Sequence, residues 1–248
     1  MPVPRSVSAL LFAPALLGAA ERFDGELKPT AEFVVASESV FRGLERAGHS
    51  AQAAVGVERG AFRGGLWASV PLRGGEADEL RLDAAWRQPL GGQFELEAGV
   101  RMFRFLNAPA GAPRHSWEAG LKLSREMPGG LKPALGYYRD FRLQADTGEG
   151  ELGFSVPLTR LGAFLDGRFF AGWSQADDWR PGASGPRVAG GYGYYGVEAK
   201  VPYRIGEHTT VLAGLHYSEA WNAREAGAVP GPKGRRNLGF TAGVSLDF

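Results

Sequence analysis

"AQAAVGVERGAFRGGLWASV", residues 51–70, alternates with a period of two on both sides of a glycine turn. Ala51, Ala53, Val55 and Val57 fall on one face of the first run, with Gln52, Ala54, Gly56 and Glu58 between them. From Phe62 the apolar set continues as Gly64, Leu66, Ala68 and Val70, and Arg63, Gly65, Trp67 and Ser69 fill the gaps. Successive side chains of a strand point to opposite faces, so this spacing predicts a hairpin around Glu58-Arg59-Gly60 with one apolar and one polar face. The same period recurs to the carboxyl terminus. It predicts strands at 30–43, 49–58, 61–72, 78–88, 92–105, 115–126, 131–141, 149–157, 162–175, 189–202, 207–219 and 237–248.

Most of these runs match the about 9–11 residues that a tilted strand needs to cross a bilayer. Their connections alternate in length. Those after the even strands are tight, at 58–60, 89–92, 127–130, 158–161 and 204–207, whereas most of the others are longer and richer in Gly and Pro, notably 106–114, 176–188 and 220–236. Short turns on one rim and long loops on the other are the pattern of an outer-membrane barrel, and an even strand count leaves both termini on the short-turn side. The expected fold is therefore all-β: a closed antiparallel up-and-down transmembrane β-barrel of about twelve strands. No helical stretch, linker or domain break interrupts it.

Residues 1–20 carry one charge, Arg5, before an apolar run from Val7 to Leu17 that is too short to span a bilayer and ends in Gly18-Ala19-Ala20. This reads as a cleaved signal peptide, with a barrel domain at 21–248. The whole chain has 28 basic and 27 acidic residues, and removing Arg5 leaves a formal net charge of 0. Nucleic acid is not an expected partner without a basic excess. Cysteine is absent, which removes disulfides, thiolate metal sites and thiol catalysis together. The 37 glycines and 11% aromatic residues suit an all-β chain rich in turns.

The two faces then decide between a barrel and a soluble sandwich. The apolar face collects Phe94, Leu96, Ala98, Val100 and Met102, then Trp117, Ala119, Leu121 and Leu123, and ends in Leu238, Phe240, Ala242, Val244, Leu246 and Phe248. In a barrel these meet lipid. The opposite face holds the lumen-lining candidates Glu38, Arg42, Arg63, Arg81, Asp83, Arg87, Glu95, Glu97, Arg101, Glu118, Lys122, Asp166, Arg168, Glu198 and Lys200, together with Glu32 and Glu151. About eight strands leave an interior that side chains fill, whereas 16–18 leave an aqueous channel. Twelve strands lined by balanced charges therefore imply either a narrow charged pore or a salt-bridged plug.

Ser37-Glu38-Ser39-Val40-Phe41-Arg42-Gly43, followed by Ala51-Gln52 and by Gly65-Leu66-Trp67-Ala68-Ser69, resembles the amino-terminal motif block of the TorF family of porins of Gram-negative outer membranes. Where that family typically carries Asp-Tyr before Phe-Arg-Gly, this chain has Glu38 and Ser39. The resemblance covers residues 31–72. It implies a barrel that passes small solutes or ions, and names no solute. The terminal strand Asn237–Phe248 resembles the closing strand of outer-membrane proteins, with an aromatic last residue and apolar residues two and four before it. The partners expected with it are the lipid bilayer, lipopolysaccharide and the outer-membrane assembly machinery.

The remaining chemistry is sparse. His49, His115, His208 and His216 are scattered, so no metal is expected, and nothing points to a cofactor. Gly190–Gly196 is glycine-rich but opens a strand, not a helix, so it cannot make a phosphate-binding helix start and reads as a strand with tyrosines at the membrane interface or in the lumen. Loop 220–236 carries Arg224, Lys233, Arg235 and Arg236, a basic set able to meet lipopolysaccharide phosphates. The enzymatic alternative is His216-Tyr217-Ser218, which resembles the His-x-Ser of outer-membrane lipid A deacylases, with Glu219 or Glu225 as the acid. The pattern Val211, Ala213, Leu215, Tyr217 assigns the lipid face, however, and turns His216 and Ser218 inward. The expected function is accordingly a passive channel with no catalytic residues; a non-conducting structural barrel is the other alternative.

Overall fold

The computed structural model describes residues 27–74, 76–108, 114–179, 188–221 and 236–248. Residues 1–20, read as a signal peptide, lie outside this set, as does most of loop 220–236. Twelve strands form one closed barrel. They are β1 (Lys28–Ala36), β4 (Ser50–Arg59), β5 (Phe62–Pro71), β6 (Asp78–Gly91), β7 (Phe94–Leu106), β8 (His115–Arg125), β9 (Leu131–Asp140), β10 (Ala145–Leu158), β11 (Ala163–Trp179), β12 (Val188–Arg204), β13 (Thr209–Trp221) and β14 (Arg236–Asp247). Each pairs antiparallel with the next, and β14 returns to β1 through a register running from Thr30↔Asp247 to Ala36↔Thr241. Closure leaves no unpaired strand edge, which a hydrocarbon environment would not tolerate.

The opening hairpin forms one residue later than its expected turn. Arg59 still pairs with Phe62, so the loop is Gly60-Ala61, and Gly60 takes the left-handed backbone (φ 56°) that a two-residue hairpin demands. The apolar face points outward along the whole wall. Leu135 (70% exposed), Phe240 (60%) and Met102 (57%) have no packing partner that hides them. Trp117 stacks on Phe141 at 4.0 Å and Tyr195 lies against Trp221 at 6.0 Å near the long-loop rim, while Phe62, Phe94 and Phe248 stand exposed at the short-turn rim. An apolar band bounded by aromatics at both edges is what a bilayer-spanning barrel presents to lipid.

The first predicted strand, 30–43, is corrected by the structure. β1 ends at Ala36, where Ser37 makes the last wall bonds: its amide donates to the Phe240 carbonyl (2.9 Å), and its hydroxyl accepts from the Phe240 amide (2.8 Å). Residues 38–49 then leave the wall. They carry a small hairpin of β2 (Ser39–Phe41) and β3 (Leu44–Ala47), a separate two-stranded sheet. The turn between them is Arg42-Gly43, with φ of 51° and 75°, so both central residues adopt the left-handed geometry of a tight hairpin. Glu38 and Arg42 thus belong to an inward-folded loop and not to the face of a wall strand.

Candidate functional site: the lumen and its hairpin

The β2–β3 hairpin grows from the β1–β4 junction on the long-loop rim and crosses the lumen. Arg42 Nη1 donates to Glu118 Oε2 of β8 at 2.6 Å, and both side chains are nearly buried (11% and 3% exposed). Arg46 Nη1 donates to Glu79 Oε1 of β6 at 2.7 Å. The Gly43 carbonyl accepts from Asn237 Nδ2 of β14 at 2.9 Å. Phe41 meets Phe103 of β7 edge-on at 5.6 Å, and the Arg42 guanidinium also lies over the Tyr138 ring of β9. Leu44 seats in an apolar cluster with Tyr192, Tyr194 and Ala220, flanked by Phe170. The hairpin therefore touches β6 to β9 on one side and β12 to β14 on the other. It bridges opposite walls of the barrel.

Only glycine fits at position 43. A side chain there would place its Cβ 2.7 Å from the Tyr194 Cβ and 3.3 Å from the Ala220 Cβ, on a backbone that L-residues seldom adopt. In the same loop Glu38 approaches His216 of β13 at 4.0 Å, and neither Glu38 Oε2 nor His216 Nε2 has a hydrogen-bond partner. Burial, reinforced by the Glu45 carboxylate, pushes the Glu38 carboxyl above the ordinary carboxylate range.

Two interior cavities, each of about 560 Å³, share the charged layer of the lumen. The charges that the sequence assigns to the inner face are drawn together in networks. Glu97 accepts from Arg63 (2.6 Å) and Arg87 (3.0 Å), with Glu58 3.7 Å from Arg87. Asp83 binds Arg81 (2.8 Å) and Arg101 (2.7 Å), and Arg101 continues to Glu118 at 3.6 Å. Lys122 of β8 reaches over β9, whose inward residues there are Ala134 and Gly136, to Glu151 of β10 at 2.6 Å. Arg168 ties Glu151 (3.4 Å) to Glu198, which it grips through two nitrogens. Glu95 lies 3.7 Å from Lys132, and Asp166 accepts from the Ser155 hydroxyl (2.6 Å). Among the described residues, Lys200 joins none of these networks.

Arg46, Glu79, Tyr138, Tyr194 and Asn237 all hold the hairpin, and none of them stands among the lumen candidates that the sequence supplies. The signal for them is the Arg42-Gly43 pair, a turn dipeptide inside what period two presents as one continuous strand. The hydrolase set does not assemble. Ser218 Oγ accepts from Asn237 Nδ2 (3.2 Å) and makes no bond to His216. Glu219 lies on the outer face, accepting from the Tyr195 (2.9 Å) and Tyr217 (3.0 Å) hydroxyls. Glu225 lies outside the described residues. Ser218→Ala and His216→Ala are expected to leave lipid A acylation unchanged by mass spectrometry; a deacylase activity that disappears in Ser218→Ala would overturn the reading of this strand.

No family model and no curated protein matches the chain. Solved structures match by shape. The NanC porin superposes with a TM-score of 0.56 at 10% identity, covering 88% of this chain and all (100%) of that one. The KdgM porin superposes at 0.54 with 12% identity over 88% of this chain and 99% of that one. The same porin in complex with disordered oligogalacturonate gives 0.55 at 10% identity over 89% of this chain and 99% of that one. The fold is that of small outer-membrane porin barrels.

Proposed function

We propose that the chain is exported behind a signal peptide at 1–20 and works in the outer membrane of a Gram-negative bacterium as a narrow passive channel for small hydrophilic solutes. The observation that carries this reading is the pair of charge-lined cavities inside a closed, lipid-facing wall. The resemblance of residues 37–43 and 65–69 to TorF-family porins, and the shape shared with NanC and KdgM, support the same class. KdgM has been solved with an oligogalacturonate, a polyanion. The present lumen is suited to something else, because Arg63, Arg81, Arg101, Lys122 and Arg168 are each already paired with a carboxylate of the wall.

A second reading, a non-conducting structural barrel, draws on the hairpin that crosses the lumen. Planar-bilayer recordings separate the two. The expected result is a small conductance with weak ion selectivity, since inward acids and bases nearly balance. Silence from correctly folded protein would select the structural barrel. Lipopolysaccharide around the outer wall and the assembly machinery acting on the terminal strand complete the partners we infer.

A further inference from the structure

We propose that the lumen selects zwitterionic solutes, small molecules with both a free ammonium and a free carboxylate, of the size of an amino acid or a short peptide. The proposal rests on the channel reading above and names its solute class. It follows from which charges remain free. Among the described residues, the charged side chains lining the two cavities nearly all have partners, in the ion pairs of the lumen networks and the Tyr194 hydroxyl on Glu149 (2.6 Å); Glu38, 4.0 Å from His216, has its Oε2 buried and unpartnered and so presents no solvated carboxylate there. One carboxylate, Glu32 of β1, and one ammonium, Lys200 of β12, line the same space with no ion pair or hydrogen bond to another described residue. Both are exposed to the cavity.

The wall between them is smooth. β13 and β14 separate the two groups and offer the cavities Gly214, Thr241 and Ser245 on their inward faces, with no charge at those positions. Register fixes the spacing. Lys200 pairs with Gly214, Gly214 with Thr241, and Thr241 with Ala36, so Lys200 lies on the rung of Ala36, four residues along β1 from Glu32. That is about 13 Å along the strand direction at ~3.3 Å per residue, plus three strand spacings around the wall. A small solute therefore meets the two groups in succession.

The order of attraction follows from Coulomb's law. An anion is drawn to Lys200 and repelled at Glu32, a cation the reverse, and a neutral molecule gains at neither. A zwitterion pairs with each in turn. Two solvated, single-charge contacts in series hold it long enough to enter and too weakly to trap it, which is what conduction requires. Each contact has the strength of an exposed ion pair.

The test uses the full-length barrel in proteoliposomes and the uptake of radiolabelled glycylglycine, glycylglycine amide, N-acetylglycine and N-acetylglycinamide. Glycylglycine is expected to enter about two- to fivefold faster than either singly charged analogue, the scale of an exposed ion pair. Lys200→Met and Glu32→Gln, both at exposed positions, should each abolish that advantage. Equal rates for glycylglycine and the neutral N-acetylglycinamide would overturn the zwitterion class and leave the channel standing. Entry of no solute would overturn the channel instead. Saturation-transfer NMR of glycylglycine on the detergent-folded barrel then decides the site. A transfer signal that disappears in Lys200→Met upholds it; no signal from the parent barrel, or an unchanged signal from the variant, overturns it.

Discussion

Glu118→Ala is expected to release the inward hairpin and turn a narrow, weakly conducting barrel into a wider one. Glu118 is the acceptor for Arg42, and both groups are almost fully withdrawn from water. Removing one partner of a buried ion pair leaves the other charge uncompensated, at a cost of about 3–5 kcal/mol. The wall strands are locked by their ladders, so the loss falls on the loop, whose other anchors include Arg46–Glu79, the Gly43–Asn237 bond, the Phe41–Phe103 contact and the Leu44 seat. In folded protein, trypsin should then cleave after Arg42 or Arg46, identified by mass spectrometry, and bilayer conductance should rise several-fold. Glu118→Gln keeps an acceptor and should show both effects more weakly. Unchanged cleavage and conductance in Glu118→Ala would mean that the hairpin does not depend on this pair.

The second large effect tests the outer wall. Leu121 of β8 faces outward in the apolar band, 52% exposed, on the same face as Trp117 and Ala119. An arginine near the bilayer midplane of a barrel costs about 2–4 kcal/mol. Leu121→Arg should therefore lower the yield of folded barrel in lipid, read as loss of the faster-migrating unboiled band in detergent electrophoresis. Replacing the inward Lys122 with Gln should leave that band in place, because its side chain contacts Glu151 and the lumen. If Leu121→Arg folded as well as the parent and the protein were recovered without membrane, the lipid-facing assignment would fail.

The strands are legible because a sheet buried on one face writes its geometry into every second residue. That rule reaches the closing strand Asn237–Phe248 and places His216 and Ser218 on the inward side from the sequence alone. Several charge pairs are legible in the same way: Arg87 and Glu97, or Asp83 and Arg101, stand opposite each other on adjacent strands. The hairpin is not. Val34, Ala36 and Val40 share one alternate face with the charged Glu32, Glu38 and Arg42, so the residues that leave the wall look locally like those that stay. What bends them inward is nonlocal: Glu118 is 76 positions from Arg42, and Asn237 is 194 positions from Gly43. Free charges such as Glu32 and Lys200 are equally hidden: Gly214 and Thr241 stand on one side of Lys200, and Asp166, opposite it on β11, accepts from the Ser155 hydroxyl and makes no ion pair with it. The motif from Ser37 to Gly43 that carries the family resemblance turns out to lie largely within the hairpin itself.

The bond from Asn237 to Gly43 also sets an order of events in folding. Its two ends are separated by most of the chain, and Asn237 reaches its place only once β14 has paired with β1. Contacts of such long sequence separation form late, because the loop they close must first be ordered by everything between. The seat for Leu44, made of Tyr192, Tyr194 and Ala220, is likewise built from the last third of the sequence. An element translated near the beginning thus has to wait, solvated and unpaired, for the end of the chain to arrive. Closure of the cylinder and completion of the hairpin's seat thus both await the final strands.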